Sequence, residues 1–175
     1  SLTISSDSRW LATGSSDNTA CLWDLKAVNP AAASIKLTGH KDQVYAVAIG
    51  PDDRWLATAS RDKTARLWDA ATGEPRGEPL IHNELVYDVS FSPDGETLAT
   101  ASSDGTARLW DTVTRQSRDK PLIKHDALTA VSFSQHRPRP ALSTSLRMTT
   151  LPSNGTPISA SRASSSSMYS RADVS

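Results

Sequence analysis

The chain has 175 residues, enough for one domain of ordinary size, and its 19 basic residues balance 19 acidic ones, which gives no support to a strongly basic nucleic-acid binder. Its longest strongly apolar run, VYAVAI at 44–49, is far shorter than the roughly 18 residues that span a bilayer, so no membrane segment is expected. Hydrophobic residues make up only 37%, low for a globular domain, so part of the chain is expected not to fold.

In chain order, the opening SLTISSDSRW has no initiator Met, basic n-region or apolar h-region and reads as an internal piece of something longer. LATGSSDNTACLWD follows at 11–24, and a short strand, IKL, is expected at 35–37. A second unit has GH, a strand VYAVAI (44–49), a PDD turn, a strand WLATAS (55–60), an RDKT turn, a strand ARLWD (65–69) and a short PLI (79–81). The third repeats it as VYDVSF (86–91), PDG, TLATAS (97–102), SDGT, ARLWD (107–111) and PLI (121–123). LTAVSF (128–133) begins a fourth unit and is expected to stand alone. The LATxSxDxTAxLWD copies align without a gap at spacings of 45 and 42 residues, so the chain is a repeat protein. Both alternating faces of each strand are apolar or small, as in Val44, Ala46, Ala48 against Tyr45, Val47, Ile49. Such sheets need cover on both faces and must sit between neighbours.

The GH, SPDG, S-x-D-x-T and WD motifs at fixed spacing resemble the WD40-repeat β-propeller family, in its bacterial-type wording. The resemblance covers residues 1–133 and implies an all-β fold of four-stranded antiparallel blades around a channel. Blades are expected at about 1–37, 44–81 and 86–123, with the first strand of a fourth at 128–133, an incomplete arc that leaves two flat faces uncovered and open to self-association. The resemblance also implies a buried polar network of loop His, strand Ser or Thr, turn Asp and strand Trp. Here that is His40, Ser60 (or Thr58), Asp62 and Trp68, then His82, Ser102 (or Thr100), Asp104 and Trp110, with Asp17 and Trp23 in the first unit. Asp24, Asp69 and Asp111 complete the WD pairs and are expected to hold the turn after the third strand.

A catalytic triad needs one His poised between one nucleophile and one orienting carboxylate; the same set recurring in successive units and ending on Trp fits scaffolding, and no catalytic residue is expected. His40, His82 and His125 occupy equivalent places in different units, which hold them apart, so neither metal nor cofactor is expected. Cys21 replaces the Arg of Arg66 and Arg108, an incidental change, and as the single cysteine it cannot pair within the chain, which fits a reducing, cytoplasmic setting. Partner contacts in such repeats gather around the GH loop and S-x-D turn, here Lys41, Gln43, Tyr45, Arg61 and Lys63, then Glu84, Leu85, Tyr87 and Ser103, with Ser16 in the first unit. The implied function is a non-catalytic protein-interaction scaffold, part of a larger protein. The alternative is the regulatory region of a kinase- or NTPase-type signalling enzyme whose catalytic domain lies elsewhere.

Residues 1–133 carry 14 basic and 18 acidic residues, whereas 134–175 hold five Arg, one Asp, 12 Ser and four Pro and are expected to be a disordered tail. Nucleic-acid binding by those dispersed arginines is not expected. A diverged blade, a natural tail and a frameshift all fit. For the last, Met148-Thr149 encodes Asp in an overlapping frame, and Asn154-Gly155-Thr156 can encode Trp-Asp in that frame six codons on, the Asp-to-Trp spacing of every intact copy.

Overall fold

The computed structural model describes residues 1–118, 121, 127–136 and 143–150. Its described residues form strands and turns only. The first sheet is β1 (Leu2–Ile4), β2 (Trp10–Gly14), β3 (Ala20–Asp24) and β4 (Ile35–Leu37), paired in that order and antiparallel throughout. The second repeats the plan with β5 (Val44–Ile49), β6 (Trp55–Ser60), β7 (Thr64–Asp69) and β8 (Leu80–Ile81). The third has β9 (Val86–Phe91), β10 (Thr97–Ser102) and β11 (Ala107–Asp111), while most of the PLI expected as its fourth strand lies outside the described residues.

Turn chemistry sets these boundaries. The middle residue of each D-x-T turn is left-handed, at Asn18 (φ 71), Lys63 (φ 70) and Gly105 (φ 77), and so is that of each hairpin before β2, β6 and β10, at Ser8, Asp53 and Gly95. The first strands of the second and third sheets carry a bulge at the same place, beside Val44/Ala46 and at Val86–Asp88 against Ala101/Ser102, and the extra residues there are Tyr45 and Tyr87.

The fourth unit corrects two expectations. Its first strand, β12 (Leu128–His136), runs past residue 133 and pairs with β13 (Ser143–Thr150), which lies in the segment expected to be disordered. The reason is period-two patterning. Leu146 and Met148 pack with Phe133 against Ala99, Ala101, Ala107, Leu128 and Val131, while the alternate Arg147 and Thr149 face outward. The rest of the expected tail and His125 lie outside the described residues.

Between sheets, small residues on one face meet large ones on the next. Ala12, Ala20, Leu22 and Leu37 of the first sheet pack on Val44, Val47, Leu56 and Trp68 of the second. Ala46, Ala57, Ala59, Ala65 and Leu67 of the second pack on Val86, Val89, Phe91, Leu98 and Trp110 of the third. Leu56 and Leu98 are fully buried, each contributing about 2 kcal/mol through lost apolar surface. Among the described residues nothing covers the corresponding face of the first sheet. Leu2 is 69% exposed, against 7% and 5% for its equivalents Val47 and Val89.

Candidate functional site

Because β6 and β7 pair Leu56 with Trp68, Thr58 stands one step along the same face, within reach of the indole. Trp68 Nε1–H donates to Thr58 Oγ1 at 2.9 Å, and that hydroxyl is 2.7 Å from His40 Nε2. His40 Nδ1 lies 2.8 Å from Asp62 Oδ2, which also accepts the Lys41 N–H at 2.9 Å. Asp62 Oδ1 takes the Thr64 N–H at 3.0 Å and its hydroxyl at 2.6 Å. A neutral His40 with its proton on Nδ1 satisfies every member: Trp donates to Thr, Thr to His, His to Asp. Burial alone would raise the Asp62 carboxyl, but the bonds from His40, Thr64 and Lys41 outweigh it and hold the group well below the usual carboxylate range.

The structure therefore puts Thr58, not Ser60, between histidine and tryptophan. Ser60 works one step away, its hydroxyl donating to the Asp42 carbonyl and accepting the Asp62 N–H. In the third blade Thr100 replaces Ser102 in the same way. Trp110 donates to Thr100 at 2.9 Å, and His82 Nε2 is 2.8 Å from that hydroxyl. Ser102 donates to the Leu85 carbonyl and accepts the Asp104 N–H. The third network is also looser than expected. His82 Nδ1 is 3.8 Å from Asp104 and is buried without a hydrogen bond. Burial, with the nearby Arg108 charge, pushes the His82 imidazole down to about 4 against the pull of Asp104. The first blade has a shorter version: Trp23 donates to Thr13 at 3.0 Å, and Asp17 accepts the Thr19 N–H and hydroxyl. The threonine of the D-x-T turn, Thr64 or Thr106, is a member that motif reading left out.

Asp69 accepts the Ala71 and Thr72 N–H groups, Asp111 those of Val113 and Thr114, and Asp24 that of Lys26 together with the Arg9 guanidinium. Cys21 is a free, half-buried thiol, and burial pushes its pKa up.

The positions expected to meet partners share one rim. Arg61 N–H donates to the Gln43 carbonyl, His82 N–H to that of Lys63, and Ser103 N–H to that of Leu85. Tyr45 and Tyr87, thrown out of register by their bulges, stack across the blade boundary with centroids 5.7 Å apart and planes 24° from parallel. Lys63 pairs with Glu84 at 3.1 Å and donates to the Asn83 carbonyl, and Arg61 pairs with Asp42 at 3.8 Å. These are exposed pairs of little stabilising value. Gln43, Leu85 and Ser103 are half-buried between them, and Lys41 and Ser16 are exposed. Among the described residues no group of His, Cys, Asp and Glu is arranged to hold a metal ion, and no helix is long and apolar enough to cross a membrane.

Comparison with curated proteins found no significant match. The family model described as WD domain, G-beta repeat, matches residues 1–24, 33–69 and 75–111; each match ends on the third strand of a blade, and the second and third begin with the fourth strand of the blade before. With more than half its length matched and each blade built on the repeating Thr–Trp and Asp–Thr bonds, the chain belongs to the WD40-repeat family.

Proposed function

We propose that this chain is a non-catalytic protein-interaction scaffold, part of a larger cytoplasmic protein, and that it meets its partner on the rim centred on Tyr45 and Tyr87. The observation that carries this reading is the division of labour among polar groups. In the second blade the network side chains His40, Thr58, Asp62, Thr64 and Trp68 are bonded to one another and serve the fold. Above them, a stacked and half-buried tyrosine pair with Leu85 and Gln43 beside it and Arg61 and Lys63 at its edge has the make-up of an interface centre with a charged border. The face of the first sheet that is open among the described residues has a different occupant, a further blade presenting alanines and leucines, as at both covered equivalents.

A photo-crosslinking residue at Gln43, and in a second version at Thr72 on the opposite rim, tests the partner site. Crosslinks to a protein partner are expected from Gln43 only, and Tyr45→Ala with Tyr87→Ala is expected to weaken that partner's binding at least tenfold, about 1.4 kcal/mol, at a temperature where the variant is still folded. Crosslinking from Thr72 alone, or full binding by the double variant, refutes the reading.

A further inference from the structure

On the opposite rim, where the second and third blades meet, two arginines lie over Trp55 and a third stands beside one of them. The Arg76 guanidinium lies 3.8 Å from the centroid of the Trp55 ring and that of Arg54 is 5.5 Å from it. Arg115 closes the group from the third blade: its guanidinium packs against the backbone of Gly77, filling the space where a Cβ would stand, directly beside Arg76. Arg9, Arg61, Arg108 and Arg118 each have a carboxylate within 4 Å, but among the described residues Arg54, Arg76 and Arg115 have none. The nearby acids are otherwise engaged. Asp69 Oδ1 accepts the Ala71 and Thr72 N–H groups and the Thr72 hydroxyl, and Asp52 Oδ1 accepts the Arg54 N–H. Glu74 and Glu78 flank Arg76 in sequence, are exposed, and form no ion pair among the described residues. Burial and then repulsion from Arg115 and Arg54 hold the Arg76 pKa below its ordinary value despite Asp69 and Asp52.

Like charges held together on an aromatic face, without counter-charge, suit an anion that can take several guanidinium N–H groups at once. We propose that Arg54 and Arg76 on the Trp55 ring, together with Arg115 beside Arg76 at the junction of the second and third blades, form a receptor for a phosphoryl group carried on a protein segment. A phosphate monoester offers three oxygens and close to two negative charges, which matches a group of three arginines better than one carboxylate does. A single phosphoryl group is favoured over nucleic acid or an anionic membrane because residues 1–133 carry 18 acidic residues against 14 basic ones. That balance repels an extended polyanion while leaving this one local site attractive. The site is separate from the Tyr45–Tyr87 rim, so either can fail without the other.

The test is fluorescence anisotropy of the full chain with a labelled Gly-Ala-phosphoserine-Gly-Ala peptide, its unphosphorylated form, inorganic phosphate as competitor and phosphatidylserine vesicles. The phosphopeptide is expected to bind at least tenfold tighter than the unphosphorylated peptide, to weaken as salt rises, and to lose at least tenfold with Arg76→Gln and Arg115→Gln together. Inorganic phosphate is expected to compete. Arg115→Gln alone, which leaves the Arg76–Trp55 stack in place, is expected to lose severalfold and carries the test should the double variant not fold. Equal binding of the two peptides, unchanged binding by both variants, or binding to vesicles without binding to the phosphopeptide overturns the proposal.

Discussion

Removing the Asp62 side chain should cost more than removing Asp104, although the two occupy the same place in successive repeats. Asp62→Ala deletes the acceptor of four donors: His40 Nδ1, the Lys41 N–H, and the Thr64 N–H and hydroxyl. The His40 side chain is only 2% exposed, so its Nδ1–H would be left buried without water, about 2 kcal/mol by itself. The donors of the turn lie nearer solvent and add about 0.5 kcal/mol each, giving a loss of about 3–4 kcal/mol. In the third blade His82 Nδ1 already lacks a partner, so Asp104→Ala strands no new histidine donor and forfeits chiefly the bonds from Asn83 and Thr106, about 2 kcal/mol. The assay is equilibrium urea unfolding of the full chain followed by tryptophan fluorescence, with both variants at the wild-type m-value. Asp62→Asn, which keeps one acceptor oxygen, should recover part of the loss. Equal losses for the two alanine variants, or a larger one for Asp104→Ala, would refute the assignment of the tighter network to the second blade.

A histidine whose folded pKa lies below its unfolded value binds fewer protons when folded. The stability tied to His82 is therefore present above pH 6.5 and lost as pH falls toward about 4, up to about 3 kcal/mol, and His82→Asn should flatten that part of a stability–pH curve. Burial raises the Asp88 carboxyl above its ordinary range although it accepts the Val89 and Val131 N–H groups, so its contribution is present at low pH and shrinks as pH rises through the raised value. The deficit of Asp88→Ala relative to wild type should accordingly be larger at pH 3.5 than at pH 7 in parallel urea titrations. Gly73 has φ 74 and an added Cβ would collide with Ile35 of the neighbouring sheet. Gly73→Ala should cost about 1–3 kcal/mol, and in an Ile35→Ala background only the backbone part, about 1 kcal/mol, should remain in thermal melts.

Most strand limits were legible because repetition checks itself: VYAVAI, WLATAS, VYDVSF and TLATAS recur in register with turn residues between them, and each is a strand over those residues. Alternation could not separate Thr58 from Ser60, since both point to the same face. The ladder does, because Thr58 neighbours the Leu56–Trp68 pair whereas Ser60 sits at the turn. The tyrosine stack was not legible as a contact, because it depends on two bulges that period-two reading does not register. The opposite holds for β13: the alternation of Leu146 and Met148 with Arg147 and Thr149 is present in the sequence, but without the S-x-D and WD motifs that mark the other blades.

Motif loss and packing loss are therefore different events, and the faces show why the distinction matters. Each blade offers alanines on one face and large side chains on the other, so the contact is heterologous and the stack has a direction. In the last described sheet the partners of Ser132 and Ala130 are Arg147 and Thr149, where the third blade has Ala99 and Ala101 opposite Ser90 and Asp88. A further blade added there would have to bury the Arg147 guanidinium, at a cost of several kcal/mol unless it were paired. At the other end Leu2 and Ile4 stand exposed on a face whose equivalents in the second and third sheets are covered by alanines and leucines. Front-to-back joining of two copies would set Arg147 against those leucine and isoleucine side chains, so the described ends do not complement each other. Apolar cover is favoured on the face of the first sheet alone.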